Sequence, residues 1–135
     1  MKKFLLFIIF LSVGTHVRAE CSKEDAIQAE AKAAQLKDWN EVYSSYKKYS
    51  HCDDGAIAEG YSESISQLLA KKWDQLESLE KTIKKDKKFK DFVIKHIDQT
   101  IAEDARVDIL SNTTNRCPSK SKDLCKKILA AAKNK

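Results

Sequence analysis

The chain has 135 residues, of which 33% are charged and 8% aromatic, with only three glycines and one proline. That composition suits one small helical domain and argues against a fibrous, low-complexity or membrane-spanning protein. The formal net charge of +5 overstates the basic character, because three cations fall in a leader that should be removed.

Residues 1–19 have the features of an export signal. Lys2 and Lys3 form a positive start, Phe4 to Val13 an apolar stretch, and Val17-Arg18-Ala19 a small-residue cleavage site. The apolar stretch is about half of the ~20 residues needed to span a bilayer. Glu20 before Cys21 does not fit a lipoprotein anchor, so cleavage is expected after Ala19. The mature chain then has 116 residues, 22 basic against 20 acidic, and a net charge of +2. With no later apolar stretch and so little net charge, neither an integral membrane protein nor a nucleic-acid binder is expected. The leader has a bacterial style, which points to the periplasm.

Cys21, Cys52, Cys117 and Cys125 remain, an even number in an oxidising compartment, and two disulfides are the default. No Cys-x-x-Cys spacing or histidine arrangement supports a metal site, and no cofactor is indicated.

A first helix is expected from Ser22 to Leu36, opened by Ser22 and Asp25 and carrying a thin apolar face of Ile27, Ala31, Ala34 and Leu36. Asp38 and Glu41 open a second helix, whose Trp39, Val42, Tyr43, Tyr46 and Tyr49 recur at helical spacing. That stripe reads as core, with an aromatic ligand groove as the rival. So short a connection makes the two helices an antiparallel hairpin. Four cysteines allow three pairings; because Cys21 before the first helix then meets Cys52 after the second, Cys21–Cys52 with Cys117–Cys125 is the favoured one.

The stretch from Cys52 to Trp73 is the longest expected helix. Asp53 or Asp54 can cap it, and Ile57, Ala58, Tyr61, Ile65, Leu68 and Leu69 form its buried stripe. Gly60 in mid-helix suggests the close approach of another helix. Glu59 and Glu63 stand away from the main stripe and, with Asp53 and Asp54, make an acidic surface that could receive a basic partner.

Asp74 with Glu77 is expected to cap a short helix bearing Leu76, Leu79 and Ile83. The basic run Lys81–Lys90 follows, read as a solvated helix end. Asp86 caps a helix with Phe89, Phe92, Val93, His96 and Ile97, where His96 reads as a satisfied core histidine. Thr100 and Glu103 open another helix through Ala105, Ile109 and Leu110. Ser111 to Lys120 reads as a polar loop containing the sequon Asn112-Thr113-Thr114. Ser119 or Ser121 opens a last helix with Leu124, Ile128 and Leu129. The fold expected is all-α, a compact bundle of about five to seven helices over residues 20–135, stapled by two disulfides.

No Gly-rich phosphate loop or nucleophile constellation occurs. His51 beside Cys52 would be a nucleophile pair only if the thiol were free. A small wall hydrolase could draw on the carboxylates between Asp53 and Glu63, but nothing in the sequence provides an apolar pocket to raise the pKa of one of them. A stress or chaperone-like protein could use Lys81–Lys90.

The leader, the disulfide-bearing size, the helical run from Ser22 to Lys133 and the stretch Cys52-Asp-Asp-Gly-Ala-Ile-Ala-Glu-Gly together resemble a known family. They are similar to the exported all-helical immunity proteins that neutralise type VI secretion amidase toxins. The resemblance implies a non-enzymatic inhibitor of a toxin or wall hydrolase, and it allows a homodimer. It assigns no inhibitory residues. Asp53, Asp54, Glu59 and Glu63 are the candidate partner-binding residues.

Overall fold

The computed structural model describes residues 20–134; the expected leader at 1–19 lies outside the described residues. Seven α-helices follow in order: α1 (Lys23–Ala33), α2 (Trp39–Tyr49), α3 (Gly55–Lys71), α4 (Leu76–Lys85), α5 (Lys87–Lys95), α6 (Glu103–Asn115) and α7 (Lys122–Lys133). No strand occurs among the described residues. No helix among them is long and apolar enough to cross a membrane.

The N-terminal ends are set largely by acidic and hydroxyl side chains. Ser22 Oγ accepts from the Asp25 N–H, Asp38 Oδ1 from the Asn40 and Glu41 N–H groups, and Asp86 Oδ1 from the Phe89 N–H. Three expected caps do not form. Thr100 does not cap α6; Asp98 Oδ1 accepts from both its N–H and its hydroxyl, and Ala102 sits at the cap. Asp74 lies in a short 3₁₀ turn, leaving Gln75 before α4. Neither Ser119 nor Ser121 caps α7, and the Ser121 hydroxyl donates to Glu80 Oε2 at 2.5 Å instead.

The core sits around α3, which packs against α1 on one side and α6 on the other. The α1 contact is backbone-close. A Cβ at Gly60 would lie 2.8 Å from Ala33 Cβ and 3.0 Å from the Ala34 nitrogen, so only glycine fits. Ser64 fixes the same contact, donating to Ala33 O and accepting from the Leu36 N–H. The buried face of α1 is therefore Ala29 and Ala33, not Ile27, Ala31 and Ala34, and Ile27 is 56% exposed.

The stripe on α2 is core, as its period implies. Tyr43 and Tyr46 pack against Phe89 and Phe92 of α5, and Phe92 meets Tyr61 of α3 edge-on at 5.0 Å. The last helix, α7, closes the molecule against α6 and α5.

Several helix C-termini, whose last carbonyls lack intrahelical partners, are served by side chains from neighbouring helices. Asn112 Nδ2 donates to Leu69 O and Ala70 O at the end of α3. Buried Arg106 donates to Ala132 O at the end of α7 and to Asp98 O. Trp73 Nε1 donates to Arg116 O after α6. The demand for Asn112 explains why Ser111–Asn115 is helix rather than loop, and why the sequon asparagine is buried and engaged.

Both disulfides form as the hairpin geometry requires, Cys21–Cys52 and Cys117–Cys125. In the chain-entropy picture they stabilise by about 3.7 and about 2.5 kcal/mol. All four cysteines are so engaged, which suits an oxidising compartment.

Two glycine substitutions separate space from backbone. Gly55, at φ +51°, has open space where a Cβ would sit, with nothing within 4 Å, so Gly55→Ala should cost about 1–2 kcal/mol through backbone strain alone. Gly60→Ala gains about 1 kcal/mol of helix propensity but forces α1 off α3, and a net loss of about 1–2 kcal/mol is expected. Urea unfolding of the oxidised protein measures both. The Gly60→Ala loss should shrink when Ser64→Ala is already present, because both act at the same contact.

Candidate functional site

Three consecutive residues at the start of α3 do three different things. Cys52 is tied back to Cys21. Asp54 caps α3, its Oδ1 accepting from the Gly55 N–H. Asp53 turns inward and meets α5: His96 Nε2 lies 2.9 Å from its Oδ1, and the exposed Lys95 ammonium 2.8 Å from its Oδ2. Which of the two aspartates would cap was open in the sequence; the structure gives the cap to Asp54 and the ion pair to Asp53.

His96 is 1% exposed, and both its ring nitrogens face acceptors. Nδ1 lies 2.8 Å from Phe92 O and Nε2 meets Asp53. A carbonyl and an ionised carboxylate both only accept, so each ring nitrogen has an acceptor within hydrogen-bond distance. His96 is thus a satisfied core histidine. Burial pushes the Asp53 carboxyl upward, but the hydrogen bonds from His96 and then Lys95 outweigh it and hold the pKa below the ordinary 3.8. A carboxyl held in that direction stays ionised at neutral pH and is a poor proton donor.

A second aspartate lies behind this pair. Asp98 accepts from the Ser62 hydroxyl at 2.9 Å through Oδ2 and from Thr100 through Oδ1. Its burial raises the pKa, while those hydrogen bonds, with His96 nearby, bring it below the ordinary value.

The four candidate residues do not form one cluster. Asp53 is consumed internally and Asp54 in the cap, whereas Glu59 and Glu63 stand exposed one turn apart on the outer side of α3. Neither glutamate side chain takes an ion pair or hydrogen bond among the described residues. They lie on the helix wedged between α1 and α6, and those neighbours carry the two large exposed aliphatic side chains, Ile27 and Val107, at 56% and 55%. Cys52 is oxidised and His51 approaches Asp25 at 3.4 Å, which leaves no thiol for a nucleophile pair.

Asp98 and the hydroxyl of Ser62 went unread in the sequence. A polar residue on an otherwise apolar helix was the available signal for Ser62, and Asp-x-Thr, which favours an Asx turn, for Asp98.

The folded Asp53 pKa lies below the unfolded one, so its stabilisation is present above about pH 3.8 and is lost as pH falls through the folded value. Asp53→Ala should cost about 3 kcal/mol at pH 7, since it leaves His96 buried without its partner. The same variant should lose stability less steeply than the parent between pH 5 and about pH 2. Lys95→Gln, at an exposed position, should cost less than about 1 kcal/mol. Urea unfolding followed from pH 7 down to about pH 2 gives all three values.

No protein-family model, no curated protein and no solved structure matches this chain.

Proposed function

We propose that the protein is an exported, periplasmic protein-binding module, an immunity or inhibitor protein that neutralises a secreted toxin or cell-wall hydrolase. The observation carrying this reading is the placement of Glu59 and Glu63. They are exposed and unpaired in the middle of the helix that the fold holds most firmly, with Gly60 and Ser64 locking its other flank to α1.

A carboxylate pair on an immobile helix is pre-organised, so a basic partner would bind it without first ordering the surface. The oxidised cysteines agree with a compartment outside the cytoplasm. The resemblance to exported helical immunity proteins points the same way.

The partner should carry a lysine- or arginine-rich lip around the cleft that this face covers. Glu59→Lys with Glu63→Lys should leave stability within about 0.5 kcal/mol of the parent, because both side chains are exposed and neither is paired among the described residues. The same pair should weaken capture of a stoichiometric partner from periplasmic extract by at least about tenfold, mainly through a slower association rate. Native pull-down followed by surface binding kinetics is the measurement. Unaltered capture by the double variant would move the interface elsewhere. Peptidoglycan-clearing activity by the purified protein would replace the binding-module reading with an enzymatic one.

A further inference from the structure

The α1–α2 hairpin encloses a groove that the acidic face does not touch. It has a volume of about 470 Å³ and is open to solvent. Lys32 of α1, Lys37 of the connection and Lys48 of α2 line it, together with Ser45, Tyr49 and the carboxylate of Glu41. None of the three ammonium groups takes a carboxylate partner among the described residues. Glu41 is already engaged, accepting from the Lys37 N–H at 2.7 Å.

Tyr49 in the groove wall is 2% exposed, and its hydroxyl proton has no acceptor among the described residues. Most buried hydroxyls are satisfied, and one left alone costs stability that phenylalanine would not. The Lys48 ammonium lies over the Tyr49 ring, 4.9 Å from its centre. A hydrogen bond to the Tyr49 phenol oxygen, then its charge, raises the Lys48 pKa above its ordinary 10.5. An ammonium only donates, however, so the phenol proton still lacks an acceptor. A ligand drawing Lys48 aside would meet a waiting donor. Ser45 is not free for this purpose, since its hydroxyl is shared with Tyr61 at 2.8 Å.

We infer that this groove is a binding site for an acidic peptide segment, with Lys32, Lys37 and Lys48 pairing its carboxylates and the Tyr49 hydroxyl donating to one of them. The spacing favours a peptide over a compact anion. Lys37 and Lys48 stand at opposite ends of α2, roughly 15 Å apart along its axis at 1.5 Å per residue. An extended chain of about five residues spans that length at ~3.3 Å each. The groove volume falls within the range of about 300–1,000 Å³ usual for ligand sites. Neither Glu59 nor Glu63 lines the groove, so its failure and the failure of the proposed function are separable.

The probe is penta-glutamate with blocked ends, titrated into the isotope-labelled oxidised protein, with amide shifts read by NMR at low and at physiological salt. The expected result is shifts concentrated on α1, α2 and their connection, weakening with salt, and none with penta-lysine. Tyr49→Phe should bind about tenfold more weakly while unfolding at the same or a higher urea midpoint. Lys48→Gln should weaken binding and lessen its salt dependence. Absent shifts in the groove would overturn the inference. So would shifts equally large at Lys120, Lys122, Lys126 and Lys127, or undiminished binding by Tyr49→Phe.

Discussion

The buried contact between Asp53 and His96 is the constraint on which the rest of the arrangement hangs. It joins residues 43 apart in sequence, one entering α3 and the other leaving α5. An ionised carboxylate out of water is costly unless it is paired and hydrogen-bonded, and this one receives both His96 and Lys95. The pairing therefore fixes geometry more than it adds net stability, because a well-packed apolar pair could match its energy. What it specifies is where α3 begins. With Cys52 tied to Cys21 on one side and Asp54 capping on the other, the chain can enter α3 in one direction only.

Once α3 is placed, small residues let its neighbours come close. Ala33 against Gly60 brings two backbones together, and Ser64 bridges them. Such contacts bury little area per residue but tolerate little displacement, which makes the outer side of α3 a rigid mount. Charge is distributed unevenly over that frame. Exposed lysines gather on α4, α5 and α7, whereas carboxylates outnumber cations on α1, α3 and α6. A near-neutral molecule can thus present an acidic face to one partner and basic surface elsewhere, and its small net charge conceals both.

Much of the fold was legible because its signals are local or follow from simple geometry. A short connection between α1 and α2 implies a hairpin, the hairpin brings Cys21 to Cys52, and the second pair follows. The aromatic spacing on α2 and the alternatives for capping α3 were equally readable. The phase of α1 was not. Five alanines, Ala26, Ala29, Ala31, Ala33 and Ala34, wrap most of its circumference, and the single large aliphatic, Ile27, points away from the core. The true face is chosen by Gly60, which lies in another helix. The end of α6 was hidden for a related reason. Asn112 and Thr113 look like loop residues until the unpaired carbonyls of α3 are in view.

The candidate site was half legible. Helical spacing put Glu59 and Glu63 outward, and they are outward. Nothing local distinguishes Asp53 from Asp54, since the distinction is made by His96 across the molecule. The aromatic groove weighed as a rival for the α2 stripe did not single out Tyr49, because Tyr49 belongs by period to the same stripe as its core neighbours. Its unpaired hydroxyl emerges only once the helices are packed.

The Asp53–His96 contact can be observed directly in the imidazole ring by long-range proton–nitrogen NMR at neutral pH. An N–H proton is predicted on His96 Nε2, held against Asp53 and protected from exchange with water. An Nε2 without a proton, or one whose proton exchanges as freely as that of an exposed histidine, would contradict this arrangement.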